Sequence, residues 1–105
     1  KGRIDKGETP IEAASRELKE EIGYGSNKLT FLKATTLAPA YQSGKTYIIL
    51  AEDLYEESAK GDEPEPLEIV SKKLSDIEQL TYDDDLTEAR SILALYMVRE
   101  IMSKR

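Results

Sequence analysis

Residues 2–24 read GRIDKGETPIEAASRELKEEIGY, and this stretch decides the fold: a loop bracketed by Gly2 and Gly7 leads into a capped, glutamate-rich helix that stops at a further glycine. Thr9 with Glu12 makes a capping box, Pro10 falls at the first helical position, and Gly23 falls where a left-handed residue ends a helix. The spacing predicts one helix from about Pro10 to Ile22. Ile11, Ala14, Leu18 and Ile22 recur every three or four residues, an apolar stripe expected to be buried against a sheet. Glu17 and Glu21 stand one turn apart, with Glu20 beside them, so they reach toward one point next to the helix. At an effective dielectric near 20, two carboxylates ~6 Å apart repel by roughly 3 kcal/mol. A hard divalent cation removes that cost. Mg2+ accepts one or two carboxylates plus phosphate oxygens and is the natural candidate, with Mn2+ as its substitute.

A glutamate-rich helix is most simply a solvated face, here helped by Glu12–Arg16 and Arg16–Glu20 pairs. The number of fixed positions argues otherwise. Gly2, Glu8, Arg16, Glu17, Leu18, Glu20, Glu21, Gly23 and Tyr24 resemble the Nudix box: Gly, five residues, Glu, seven residues, Arg-Glu, an aliphatic residue, any residue, Glu-Glu, any residue, Gly and an aliphatic residue. Only Tyr24, an aromatic, departs. The resemblance implies that Glu8 and Arg16 form the internal ion pair joining loop to helix, with Gly2 and Gly23 as structural glycines, and that Glu17, Glu20 and Glu21 hold Mg2+.

Outside the box the resemblance extends over the whole chain, to the ADP compounds hydrolase branch of that family and, less closely, to the ADP-ribose pyrophosphatases. It is carried by LTFLKATTLAPAYQSGKTYIILAEDLYEES, GDEPEPL and LTEARSILALYMVRE. Pro39, sixteen residues past Gly23, matches a proline marker of ADP-ribose-cleaving members, and Tyr41 lies near a tyrosine of the dinucleoside polyphosphate hydrolases. Both are therefore expected to contact substrate. In the loop Gly61-Asp62-Glu63-Pro64-Glu65-Pro66, two prolines stiffen the chain so that Glu63 and Glu65 project to one side. The resemblance implies that one of them activates water and the other contacts metal. The assignment is Glu63 as base and Glu65 as metal contact, with the roles exchangeable, and Glu20 counted among the catalytic carboxylates as well as the ligands.

Composition is consistent with this reading. A chain of 105 residues makes one domain and buries about two-thirds of its unfolded surface if it folds alone. With 15 basic and 21 acidic residues its net charge is −6, and there is no basic cluster, so neither nucleic acid nor an anionic membrane is the expected partner. The absence of Cys and His excludes disulfides, thiolate zinc sites and histidine bases, leaving acid–base work to carboxylates, Lys, Tyr or water. No apolar run has membrane length and no signal peptide is visible, which places the expectation in the cytoplasm.

Downstream of the box the pattern predicts a strand over Leu29–Leu37, a turn at Gly44, and a strand over Thr46–Ala51. A surface loop over Glu56–Pro66 and a strand over Leu67–Leu74 follow. Ser75 with Glu78 is expected to cap a short helix, and Asp85 with Glu88 a helix over Leu86–Ser103 whose apolar face holds Ala89, Ile92, Leu93, Tyr96 and Ile101. The fold class is α/β. The resemblance makes it a Nudix α/β/α sandwich on a mixed sheet, with residues 1–105 as the C-terminal portion beginning at the box and the first strands absent from this sequence. Open strand edges and apolar surface then favour a homodimer. The implied activity is Mg2+-dependent cleavage of ADP-ribose, NADH or short diadenosine polyphosphates to AMP and X-phosphate. A noncatalytic nucleotide-sensing domain and an inactive fragment are the competing readings.

Overall fold

Capping chemistry sets the start of the first helix. In the computed structural model, which describes residues 2–57 and 67–105, α1 spans Pro10–Glu21. The Glu12 N–H donates to Thr9 Oγ1 at 3.1 Å while Glu12 Oε1 accepts from the Thr9 N–H at 2.9 Å. Its end is closed by Gly23 at φ 81°, whose N–H donates to the Lys19 carbonyl at 3.1 Å, a left-handed closure that a Cβ would strain.

The described residues fall into two compact units, Lys1–Ile69 and Val70–Arg105. In the first, α1 is followed by β1 (Tyr24–Thr36) and β2 (Lys45–Glu56), an antiparallel pair against which the helix lies. Both strands outrun the expected lengths. β1 begins at Tyr24 rather than Leu29 because its turn-forming residues are accommodated across the pair. Gly25, opposite Tyr55, leaves room for that ring, which an added Cβ would strike, and the Ser26 hydroxyl donates to the Glu52 carbonyl at 2.5 Å. A bulge between Phe31 and Lys33 shifts the register by one residue, from Phe31↔Ile49 to Lys33↔Ile48. Ile48 is buried, whereas Phe31 and Tyr47, with ring centroids 6.2 Å apart, are exposed. The turn between the strands rests on the Ala38 carbonyl, which accepts from the N–H groups of Tyr41 and Gln42, and Gly44 follows it.

The apolar stripe of α1 is only half-buried. Its one buried residue is Ala13, which at about 100° per residue lies near the opposite side of the helix, on the face of Arg16, Glu17 and Glu20. The expected burial of Ile11, Ala14, Leu18 and Ile22 is thus corrected: these four are half-buried, and the loop ahead of the helix is tied to its charged face through Arg16.

The second unit holds a 3-10 turn (Leu74–Asp76), α2 (Ile77–Leu80) and α3 (Ala89–Ser103) around Ile77, which is 1% exposed. Four expectations fail near here. Leu67–Leu74 forms no strand: β propensity is realised only through pairing, and among the described residues the sheet holds β1 and β2 alone. Ser75 lies inside the 3-10 turn and caps nothing; Asp76 precedes α2 without a side-chain cap bond. α3 starts three residues later than expected, because the Asp85 N–H is held by Asp83 Oδ1 and the Leu86 N–H by the Asp83 carbonyl, a turn that uses up the proposed cap. Glu88 caps instead, accepting from the N–H groups of Arg90 and Ser91. No residue of α3 is buried and Leu93 is 40% exposed, so the expected face is not a packed core. Helices with an antiparallel sheet make the class α/β, as expected.

Candidate active site

Arg16 gathers the box around one guanidinium. It forks onto Glu8, with Nε donating to Oε2 at 2.8 Å and an Nη to Oε1 at 3.0 Å, the bidentate geometry that a planar guanidinium gives. The same Nη donates to the Arg3 carbonyl at 2.7 Å and lies 3.4 Å from Asp5 Oδ2, so the loop is tied to the helix at three points. The other Nη donates to Glu17 Oε1 at 2.9 Å and Glu20 Oε2 at 3.2 Å. Glu8 in turn accepts from the Asp5 N–H at 2.8 Å. The Arg16 hydrogen bond and then the Asp5 N–H lower the Glu8 pKa, and the hydrogen bonds that Arg16 donates to Glu8 and Glu17 raise its own.

Gly2 explains itself in this setting. The Glu17 carboxyl lies directly against it, and any Cβ there would collide with that group. Glu17 is thereby fixed by Arg16 through one oxygen and by the bare backbone of Gly2 beneath it. Gly7, at φ 89°, supplies the left-handed bend before Glu8. Glu21 sits on the following turn. Its pKa is raised, first by burial, which disfavours the charged form, and to a smaller degree by the neighbouring Glu17 carboxylate.

The structure therefore brings Gly2, Glu8, Arg16, Glu17 and Glu20 together, with Glu21 near Glu17 and Gly23 closing the helix. Among the described residues no three carboxylates are grouped so as to hold a metal ion, and Arg16 engages Glu17 and Glu20. The donor set is nonetheless all carboxylate oxygen, which suits Mg2+ or Mn2+ and neither soft nor nitrogen-seeking metals. Pro39 and Tyr41 lie on the loop between the strands, exposed, Tyr41 to 90%, and the Tyr41 N–H bond is local, to Ala38. Glu63 and Glu65 lie outside the described residues. The expected Glu12–Arg16 pair is replaced by the Glu12–Thr9 box.

Sequence reasoning missed the Asp5 and Arg3 contributions to the clamp. Asp5 had a signal, an acidic residue three before Glu8 in a glycine-bracketed loop. The Arg3 carbonyl had none, since backbone acceptors are silent in a sequence. It also missed Lys19 and Glu57, whose ammonium and carboxylate stand 3.7 Å apart.

A scan of protein families matches the NUDIX domain over residues 1–96. The chain belongs to the NUDIX family. It is 55% identical over 100 residues to the ADP compounds hydrolase NudE of Escherichia coli K12, covering 95% of this chain and 54% of that protein. It is 34% identical over 96 residues to the ADP-ribose pyrophosphatase of Bacillus subtilis 168, covering 90% of this chain and 52% of that one. A crystal structure of an ADP compounds hydrolase superposes with a TM-score of 0.90 at 52% identity, over 96% of this chain and 55% of the other. The chain thus has the Nudix fold and spans about half the length of the curated relatives it matches.

Proposed function

We propose that the protein hydrolyses the pyrophosphate of ADP-linked compounds, such as ADP-ribose, NADH or short diadenosine polyphosphates, releasing AMP and X-phosphate. One observation carries this reading: a chain 55% identical to an ADP compounds hydrolase has all four box carboxylates, with Glu8, Glu17 and Glu20 arranged around Arg16 and Glu21 beside Glu17. Glu17 and Glu21, with Glu20, would hold a divalent cation, Mg2+ or Mn2+, which when bound neutralises pyrophosphate charge and polarises phosphorus. Arg16 holds Glu17 and Glu20 in place and keeps the loop that bears Gly2 packed on Glu17. Pro39 and Tyr41 would contact the ADP moiety. Glu63 or Glu65 would take the proton from the attacking water, the other lying near the cation. The cytoplasm is the proposed compartment and a homodimer the proposed assembly. Neither nucleic acid nor a membrane is a proposed partner, and no described helix is long and apolar enough to cross a membrane.

Incubation of the purified protein with each ADP compound, with products separated by chromatography, tests the reading. AMP and the matching X-phosphate are expected only with a divalent cation. Glu63→Gln or Glu65→Gln, whichever removes the base, should lower turnover by roughly two to four orders of magnitude. Binding of ADP compounds without any product would favour a nucleotide-sensing domain instead.

A further inference from the structure

The last turn of α1 carries Glu20 and Glu21, and helix ends fray unless something outside the helix holds them. Here the hold comes from residue 57. The Glu57 N–H donates to the Gly23 carbonyl at 2.9 Å, and the Glu57 carboxylate faces the Lys19 ammonium at 3.7 Å. Lys19 is joined to the same junction a second time, because its carbonyl accepts from the Gly23 N–H at 3.1 Å. A closed circuit results: Lys19 side chain, Glu57, Gly23 and Lys19 carbonyl, with Glu20 and Glu21 in the segment it encloses. Lys19 occupies the position inside Arg-Glu-Leu-Lys-Glu-Glu that the box pattern leaves open to any residue, so the box does not account for it.

We propose that Lys19 and Glu57 are positioning residues: they latch the C-terminal turn of α1 to the end of β2 and so set the reach of Glu20 and Glu21 toward a divalent cation, touching neither cation nor substrate themselves. The inference rests on the cation reading above. The latch and a simple field effect predict opposite behaviour. As bare charges, Lys19 repels a nearby cation and Glu57 attracts it, so losing Lys19 would tighten binding and losing Glu57 would weaken it. As a latch, losing either weakens binding.

The test is the Mn2+ dissociation constant of the purified protein, read from the free-ion electron paramagnetic resonance signal, for wild type, Lys19→Met, Glu57→Gln and the double variant. Each single change is expected to weaken binding about two- to five-fold, as suits a partly exposed ion pair, and the double variant to be no weaker than the worse single. Lys19→Arg should bind as wild type does. Shifts of opposite sign in the two singles, or unchanged constants, would overturn the latch. Glu21→Gln, measured alongside, separates the two readings: if it abolishes Mn2+ binding while the latch variants bind normally, only the latch fails. Should wild type bind no Mn2+, or Glu21→Gln bind as well as wild type, the cation site fails and the latch with it.

Discussion

Helices α1 and α3 both rest on an arginine paired with glutamate, yet the two pairings do different things. At the start of α3, Glu88 and Arg90 balance one another at 3.1 Å, and the carboxylate also accepts from the N–H groups of Arg90 and Ser91. The result is a neutral cap that satisfies the orphan donors of a helix start. Farther along, Tyr96 meets the Thr81 hydroxyl at 3.2 Å and carries the Arg99 guanidinium over its ring, ties that stay within the second unit. In α1 a single guanidinium serves Asp5, Glu8, Glu17 and Glu20, so four carboxylates against one cation leave three formal negative charges. A cap needs no such excess. That excess of negative charge is what the proposed cation would offset.

The contrast can be broken first on the side of stability. Ile77 is the fully buried side chain of the second unit, and Ile77→Ala should cost about 2–5 kcal/mol by lost burial and the cavity left behind. Denaturant unfolding reads it directly; a cost below that range would mean that the polar ties of α3 carry the unit.

On the side of function, Arg16→Met should lower divalent-dependent hydrolysis about 10- to 100-fold, the usual effect of losing a residue that orients metal ligands. Arg16→Lys should recover only part of that, because an ammonium cannot fork onto Glu8. Steady-state turnover checks both, and full recovery with Lys would show that charge alone is needed.

The smallest effect belongs to the cap. The Arg90 N–H, the Arg90 side chain and Ser91 hold the Glu88 pKa at about 2, below its ordinary 4.5. A depressed carboxylate pKa stabilises the fold above the unfolded value and ceases to do so as pH falls through the folded one. Wild type should therefore melt slightly above Glu88→Gln at neutral pH, with the gap narrowing below pH 4.5 and closing near pH 2. A gap constant across that range would mean that Glu88 acts through shape and not through charge.

Where local chemistry decides the structure, the sequence was readable. Thr9, Glu12, Pro10 and Gly23 each act on backbone groups within a few residues, and the helix lies between the limits they set. The Glu8–Arg16 pair was legible from its family spacing. What failed depends on distant partners. Gly25, Ser26 and Asn27 lie ahead of the strand expected from Leu29 and join it because Tyr55, Glu52 and Asp53 meet them across the hairpin. Leu67–Leu74 has strand composition but no paired neighbour among the described residues, and Ala13 is buried although the apolar period of the helix points elsewhere. In the candidate site the carboxylates were legible, whereas the Arg3 carbonyl and the Lys19–Glu57 contact arise only when loop, helix and strand end meet.

The most direct test of the cation site is hydrolysis of ADP-ribose at limiting Mg2+ by wild type and Glu21→Gln. The substitution keeps the shape of the side chain and removes its charge. Wild-type activity should rise with Mg2+, and the variant should lose most of it while keeping its fold by circular dichroism. Full activity of Glu21→Gln at limiting Mg2+ would contradict the site.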